Sequence, residues 1–408
     1  MSSRPGPSDP RVAAMVRSQL SRRAVLRGAG GVGVAAALAA CGTGEDPVTP
    51  GQTREPVVKV KDRSAEDNVV RWANWPAYLD YDEESKTYPT LEKFQETTGI
   101  EATYTEDIDD NDTYYAKIQG QLRNGDDIGK DVVVFTDWMA DRMIRQGFTQ
   151  KLNKDNIPNW TNLNEKLVDV DFDPGREQSL TWQSGYAGIG YRKDKVGREL
   201  RTVDDLWAPD LKGKVVVLSE MRDTIGILMM SQGVDISGDF SEDDFMSALE
   251  VLQKQIDSGQ IRQVKGNSYL EDLRSGNAIA ALAWSGDMFL AQLEEEDPNY
   301  TFQLPETGGT LWSDNMMIPV ASPHKTNAEK LMNFYYDPAI AAEVAAWVNY
   351  ICPVDGAQEE MKKLDPSLVD SPFIFPTPED LEKVQVFRSL SPEEETKYAE
   401  EFQRVIGN

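Results

Sequence analysis

Asp131-Val132-Val133-Val134-Phe135 runs through the single residue Thr136 into an amphipathic stretch from Asp137 to Gln146. An unbroken β-branched run is the pattern of a strand covered on both faces, and a helical period starting at once after it predicts a strand-to-helix unit. The same unit recurs on either side. Upstream stand the strand Val69–Trp75, the helix Leu91–Thr98 closed by Gly99, the strand Ile100–Thr105 and the helix Asp112–Arg123 stopped by Asn124-Gly125. Downstream, Lys214–Leu218 and Ala278–Trp284 are predicted strands. Helices are predicted over Asp223–Gln232, Glu242–Asp257, Asp287–Glu295, Asn327–Tyr336, Pro338–Trp347 and Pro392–Val405. Such alternation gives an α/β protein with mixed, mainly parallel sheets. Irregular stretches near Ser184–Gly190 and Glu306–Pro319 divide the strands into two groups. Two α/β lobes with more than one crossover are therefore expected, one from 68–184 plus 310–350 and the other from 185–309 plus 351–408.

The N-terminus is of another kind. Ser21-Arg22-Arg23-Ala24-Val25-Leu26-Arg27 precedes a 13-residue small and apolar stretch, Gly28–Ala40, and then Cys41 after Leu38-Ala39-Ala40. Paired arginines before a short apolar core form an export address, and that core is too short for the ~20 residues a spanning helix needs. The segment resembles the twin-arginine signal and lipobox of bacterial lipoprotein precursors. That resemblance implies removal of residues 1–40, lipid on Cys41 and a membrane-anchored location outside the cytoplasm. Residues 41–67, rich in Gly, Pro, Thr and charge, read as a flexible tether.

Composition narrows the function. The chain carries 42 basic and 69 acidic residues, a net charge of −27, and loss of the leader's six arginines and one aspartate takes it to −32. That charge disfavours nucleic acid and anionic lipid and favours cationic partners. With Cys41 lipidated, Cys352 has no cysteine to pair with, and neither cysteine has the spacing of a zinc site. The single histidine, His324, sits in a loop before a helix and reads as plain surface. Histidine-dependent triads and histidine-ligated metals are disfavoured, and no cofactor or metal is expected.

In open parallel sheets ligands bind beyond the carboxyl ends of the strands. Those ends read Asn74-Trp75-Pro76-Ala77-Tyr78, Thr136-Asp137-Trp138, Ser219-Glu220-Met221-Arg222-Asp223 and Trp284-Ser285-Gly286-Asp287. Later segments add Leu311-Trp312-Ser313-Asp314 and Trp347-Val348-Asn349-Tyr350. Aromatic faces attract organic ammonium groups, worth about 2 kcal/mol when desolvated, and carboxylates hydrogen-bond them with charge assistance. Rings and acids in alternation suit a slender polycation. Each of Asp137, Asp223 and Asp287 also precedes a helix, where aspartate is a favoured N-cap.

The order of these motifs resembles that of the polyamine (spermidine/putrescine) solute-binding proteins of bacterial ABC importers. The motifs are Asn-Trp-x-x-Tyr, a Thr-x-Trp strand end, Asp205-Leu206-Trp207-x-Pro209-x-x-Lys212-Gly213, an acidic pair three apart, a Trp-x-Gly strand end and Gly-Gly-x-x-Trp-x-Asp. The resemblance implies a type II periplasmic-binding-protein fold, two lobes closing on the ligand, an ABC permease as partner and a monomer. By position, it implies that Trp75, Tyr78, Trp138, Trp284, Trp312 and Tyr350 form an aromatic box and that Glu220, Asp223 and Asp314 hold the ammonium groups. Ala77 stands where the family offers an acid, and Asp137 is the candidate to compensate. Arg388 falls where a polar amide is common and suits a polyamine only if it faces away.

Other readings stay open at this stage. Ferric-ion binders of the same fold use paired tyrosines, and Tyr114-Tyr115 and Tyr335-Tyr336 are such pairs. Arg222 and Arg388 keep an anionic solute in view. A secreted glycosidase could use Glu220 with Asp223 or Asp314, since two carboxyls ~5–9 Å apart suffice. A purely structural lipoprotein gives no reason for aromatics to gather at strand ends.

Overall fold

The computed structural model describes residues 56–407 apart from 77, 109, 110, 267, 295 and 296. The leader 1–40, Cys41 and Ala77 lie outside the described residues. Twelve strands are described: β1 Val69–Ala73, β2 Glu101–Thr105, β3 Val132–Thr136, the short hairpin β4 Asp169–Val170 and β5 Asp173–Pro174, β6 Ser179–Arg192, β7 Val215–Leu218, β8 Ile261–Lys265, β9 Ala280–Trp284, β10 Tyr300–Gln303, β11 Gly309–Met317 and β12 Val384–Gln385. All but the hairpin form one sheet in the order β2-β1-β3-β11-β6-β9-β7-β8, with β10 on β6 and β12 on β11. The sheet is parallel toward both ends, where the predicted strand-to-helix units lie.

The two stretches expected to be irregular are the long central strands β6 and β11. Three glycines in β6 and two in the approach to β11 dilute the strand pattern. Pairing overrides that local weakness. Ser179–Gln183 of β6 pair with Asp314–Met317 of β11, which also pair with β3, whereas Ala187–Tyr191 pair with β9. Both strands therefore pass from one parallel set into the other. Their mutual register slips between Asp314 and Asn315, where Trp182 is left without an opposite residue.

Two groups of apolar residues are buried on either side of this crossing. On the first, Trp72, Val134, Leu180 and Met316 pack with Phe94, Leu331 and Trp347, while Phe135 packs on the opposite face with Met139 and Met143. On the second, Val215–Leu218 and Leu282 pack with Ile225, Phe245, Tyr398 and Phe402. Val354, Ala357, Met361 and Ile374 are buried with the first group, and Leu390, Tyr398, Phe402 and Val405 with the second. Helices start where side chains accept the free amide groups, as in the capping boxes of Ser241 with Asp244 and Ser391 with Glu394.

Two local expectations change. His324 is only 6% exposed, and its Nδ1 lies 3.0 Å from Asp131 Oδ1. Asp131 is fully buried and accepts hydrogen bonds from Arg71 Nε (3.0 Å), Arg71 Nη2 (3.0 Å) and Ser322 Oγ (2.7 Å). Burial alone would raise that carboxyl, yet the bonds from Arg71 and Ser322 hold it below the usual range. The histidine is buried because Asp131 and Ser322 give its polar atoms partners that a sequence pattern cannot display. The end of the expected tether is also engaged. Arg63 N donates to Pro323 O (2.7 Å), and Thr326 N and Asn327 N donate to Asp62 and Ser64 (3.2 and 3.1 Å).

Candidate functional site

Between the two buried groups lies a cleft of about 1310 Å³ whose walls include all ten residues singled out by sequence: Trp75, Tyr78, Asp137, Trp138, Glu220, Asp223, Trp284, Trp312, Asp314 and Tyr350. The strand ends bring them there. Asp137 and Trp138 open the helix Asp137–Arg145 after β3, Glu220 caps the helix Met221–Ser231 after β7, and Trp284 ends β9. The aspartates are not the caps that their positions allowed. Thr136 occupies the first N-cap position, while Asp223 and Asp287 are the third residues of their helices. Glu220 is the side chain that caps, accepting from Arg222 N at 3.3 Å.

Asp314 is 6% exposed and lies at the register slip of β11. Its Oδ2 accepts from Tyr78 Oη (2.8 Å) and its Oδ1 from Thr136 Oγ1 (2.7 Å). Tyr78 is fixed in turn by Trp182, whose Nε1 donates to Tyr78 O at 3.2 Å. Burial pushes the Asp314 carboxyl up to about 7, against these two hydrogen bonds, and the charge of Asp137 adds to the rise. Glu220 keeps some surface open to the cleft but is enclosed by protein on most sides. Burial drives it up to about 7, with Arg222 opposing and Asp223 reinforcing. Asp223 accepts from Trp284 Nε1 (2.7 Å) and from Thr310 Oγ1, and burial raises it too. The site thus holds carboxyls whose charge the surrounding protein compensates only in part.

Asp137 is tied differently. It accepts from Ser313 N (3.2 Å) and Asn315 Nδ2 (2.8 Å), so it fixes β11 beside the cleft. Asn315 Oδ1 accepts from the buried Arg176 Nη1 at 2.8 Å. Burial lifts Asp137 to about 6, with the Arg176 charge holding it down.

The rings pack as neighbours. Trp312 and Tyr350 meet edge to face at 5.3 Å, as do Tyr78 and Tyr350 at 5.9 Å. Glycines make room for them: a Cβ at Gly185 would come within 2.4 Å of the Trp312 ring, and one at Gly286 within 2.5 Å of the Tyr350 ring. Gly185→Ala is accordingly expected to displace Trp312 and weaken binding of the natural solute by about tenfold with the fold kept, a loss of the size of one aromatic contact. Titration calorimetry beside a thermal melt checks this, and unchanged affinity would remove Trp312 from the binding surface.

Trp138 has company of its own. The guanidinium carbons of Arg142 and Arg222 lie 4.9 and 4.5 Å from its ring centroid. Arg388 does not turn away from the cleft but is one of its lining residues, and its guanidinium is paired there with Glu394 at 2.6 Å and lies 4.1 Å over the Phe240 ring. In sequence Asp287 belongs to the strand end Trp284-Ser285-Gly286-Asp287 and to the possible caps, but not to the acids expected to hold the ammonium groups. It is 3% exposed, lines the cleft and accepts from Tyr350 Oη at 3.4 Å. Its place two residues after the Trp284-Ser285 strand end was the signal available. The tyrosine pairs lie in the core. Tyr335 and Tyr336 are 2% and 1% exposed, with Tyr336 Oη donating to Thr181 O at 2.6 Å. Tyr115 bonds Gln146, so neither pair is set out to coordinate iron.

A two-lobed α/β protein with a cleft of rings and enclosed carboxyls between its lobes has the architecture of a solute-binding protein. Residues 90–369 match the bacterial extracellular solute-binding proteins, and the chain belongs to that family. It is similar to the spermidine/putrescine-binding periplasmic protein of Escherichia coli K12, 26% identical over 318 residues that cover 78% of this chain and 85% of that protein. It is also similar to the putrescine-binding periplasmic protein SpuD of Pseudomonas aeruginosa, 26% identical over 351 residues covering 80% and 89%. In fold it is similar to the spermidine/putrescine ABC transporter substrate-binding protein PotD of Streptococcus pneumoniae, with a TM-score of 0.69 at 22% identity over 83% of this chain and 98% of that one. The TpPotD lipoprotein of Treponema pallidum gives a TM-score of 0.70 at 20% identity over 83% and 100%. The fold is thus that of the type II periplasmic binding proteins. These relatives are binding proteins of transporters, not enzymes.

Proposed function

We propose that this chain captures a polyamine, or a similar organic cation, in its inter-lobe cleft and delivers it to the permease of an ABC importer. The observation that carries the reading is the convergence of aromatic rings with the enclosed carboxyls Asp314, Glu220 and Asp223 in one cleft. An ammonium group supplies the compensating charge such carboxyls lack, and the rings cover the methylenes between amines. The names of the curated relatives support the same class. Trp75, Tyr78, Trp284, Trp312 and Tyr350 would line the methylenes, Trp138 would stand at one end, and Asp137 would act by holding β11 in place. The lobes would be those expected, 68–184 plus 310–350 and 185–309 plus 351–408, with the one change that residues 354–374 pack with the first, and they would close about β6 and β11. Twin-arginine export and lipid on Cys41 would hold the monomer outside the cytoplasm, and among the described residues no helix is long and apolar enough to cross a membrane.

Calorimetry with putrescine, spermidine and spermine, with glycine betaine and citrate as controls, tests the class: saturable one-to-one binding of a polyamine alone is expected. The pH dependence has a definite sign. Asp314 and Glu220, both near 7 without solute, are neutral below that range, and a cation needs them ionised. Affinity should rise from about pH 5 to about pH 8, by up to tenfold per unit for each titrating carboxyl below 7, and binding near neutrality should release protons. Affinity flat across that range would exclude these two carboxyls as ammonium partners.

A further inference from the structure

We propose that Glu395 is a latch that holds the two lobes together around the cleft, a positioning residue acting through the arginines beside it without touching the solute. The inference rests on the binding reading above. The helix Asp137–Arg145 buries Met139, Ala140, Met143 and Ile144 against β3 in the first group of apolar residues. The helix Pro392–Ile406 buries Tyr398, Phe402 and Val405 in the second, with Tyr398 stacked on Phe245 at 4.0 Å and 8°. Glu395 ties these two helices together. It accepts from Arg142 Nη2 at 3.0 Å and from Arg145 Nη2 at 3.2 Å, both on the first helix. Arg222, on the helix that Glu220 caps, reaches the same carboxylate at 3.5 Å.

The cluster is enclosed. The side chain of Glu395 is 11% exposed and that of Arg145 is 5% exposed. Arg145 also pairs with Asp141 at 2.9 Å, so three guanidiniums gather around two enclosed carboxylates. Neutralising Glu395 leaves Arg142 and Arg145 on one lobe facing Arg222 on the other with only the exposed Asp112, 3.1 Å from Arg142, in place of the enclosed carboxylate they share, and like charges so weakly compensated repel. The mechanical link to the cleft is short. Trp138, whose ring lies against Arg142 and Arg222, is in the first turn of one latched helix, and Glu220 and Asp223 are in the first turn of the helix bearing Arg222. Closing the latch and closing the cleft walls are therefore one movement. A closed form stabilised in this way raises the affinity for every solute by the same factor, because apparent affinity scales with the fraction of molecules already competent to bind.

The experiment uses the full-length protein in detergent, carrying Cys352→Ser and paired labels at the exposed positions Ala116 and Glu250, one on each lobe. Distance distributions and calorimetry are recorded for the parent and for Glu395→Gln. The expected result is a longer solute-free distance, restored by saturating polyamine, with affinities for putrescine, spermidine and spermine each falling roughly tenfold and their ranking unchanged. Arg142→Gln breaks the same latch from the other lobe and should give the same signature if Glu395→Gln fails to fold. A lowered melting temperature with an unchanged distance distribution and unchanged affinity would overturn the latch. A change in ranking would also overturn it, since it would put Glu395 in contact with the solute. If the parent binds no polyamine, the binding reading falls, while the solute-free distances still decide for or against the latch.

Discussion

At about pH 8, Asp314→Asn is expected to bind putrescine or spermidine roughly 30-fold to a few thousand-fold more weakly than the parent protein, the about 2–5 kcal/mol lost when one partner of a buried charged pair is removed. The argument starts from shape. Asparagine has nearly the volume of aspartate, and it can still accept from one of the two hydroxyls of Tyr78 and Thr136 while donating to the other. What disappears is the negative charge. The solute-free protein should respond in the opposite direction. A carboxyl lifted by burial to about 7 disfavours the folded state increasingly as pH rises from its unfolded value near 4 toward 7, so replacing it should raise the melting temperature above neutral pH. Weakened binding together with a higher solute-free melting temperature would identify Asp314 as a residue kept for the solute at the expense of stability. Wild-type affinity in this variant would remove the ammonium site from the register slip.

Asp131→Asn is expected to cost about 3–5 kcal/mol of folding stability, the range for breaking a buried ion pair and leaving its partner uncompensated. Arg71 makes two side-chain bonds to Asp131, and Asp127 at 3.0 Å is a more exposed substitute. The amide would also leave a single acceptor oxygen where Arg71, Ser322 and His324 now share two. Because Asp131 is held below its usual range, its contribution is present at neutral pH and is lost as pH falls through the lowered value, so the gap between parent and variant should narrow in strong acid. Chemical denaturation at neutral and acid pH measures both. A variant as stable as the parent would mean that the cluster is incidental to the fold.

The contrast between these two aspartates marks what sequence could and could not display. Asp314 was legible because it falls in Trp312-Ser313-Asp314, a ring and an acid together, although the strand itself runs on past it to Met317. The alternation of apolar runs with helical periods also located β1, β2, β3, β7 and β9 to within a few residues. Asp131 announced itself only as the first residue of a strand, since its partners Ser322 and His324 lie nearly two hundred positions away. β6 was missed because its glycines serve close approach, and strand propensity registers them as breaks. Arg176 was missed for a related reason. It holds a left-handed backbone angle, φ +54°, while its guanidinium is wholly inside the protein on Asn315, Ser179 and Thr181, a combination that no local pattern encodes. The shared acid of Arg142, Arg145 and Arg222 joins three chain segments, and only their folding together reveals it.

The slip of one residue between β6 and β11 has a kinetic consequence. Asp314 sits at the point where the two through-running strands change register, and lobes closing about β6 and β11, as proposed above, would move it least. On the proposed function a cation would be caught there before closure, whereas Glu220 and Trp284 would arrive with the other lobe. Arrival and departure would then be governed by different residues: charge at Asp314 would set how fast a solute is caught, and the contacts made by Glu220 and Trp284 would set how long it stays.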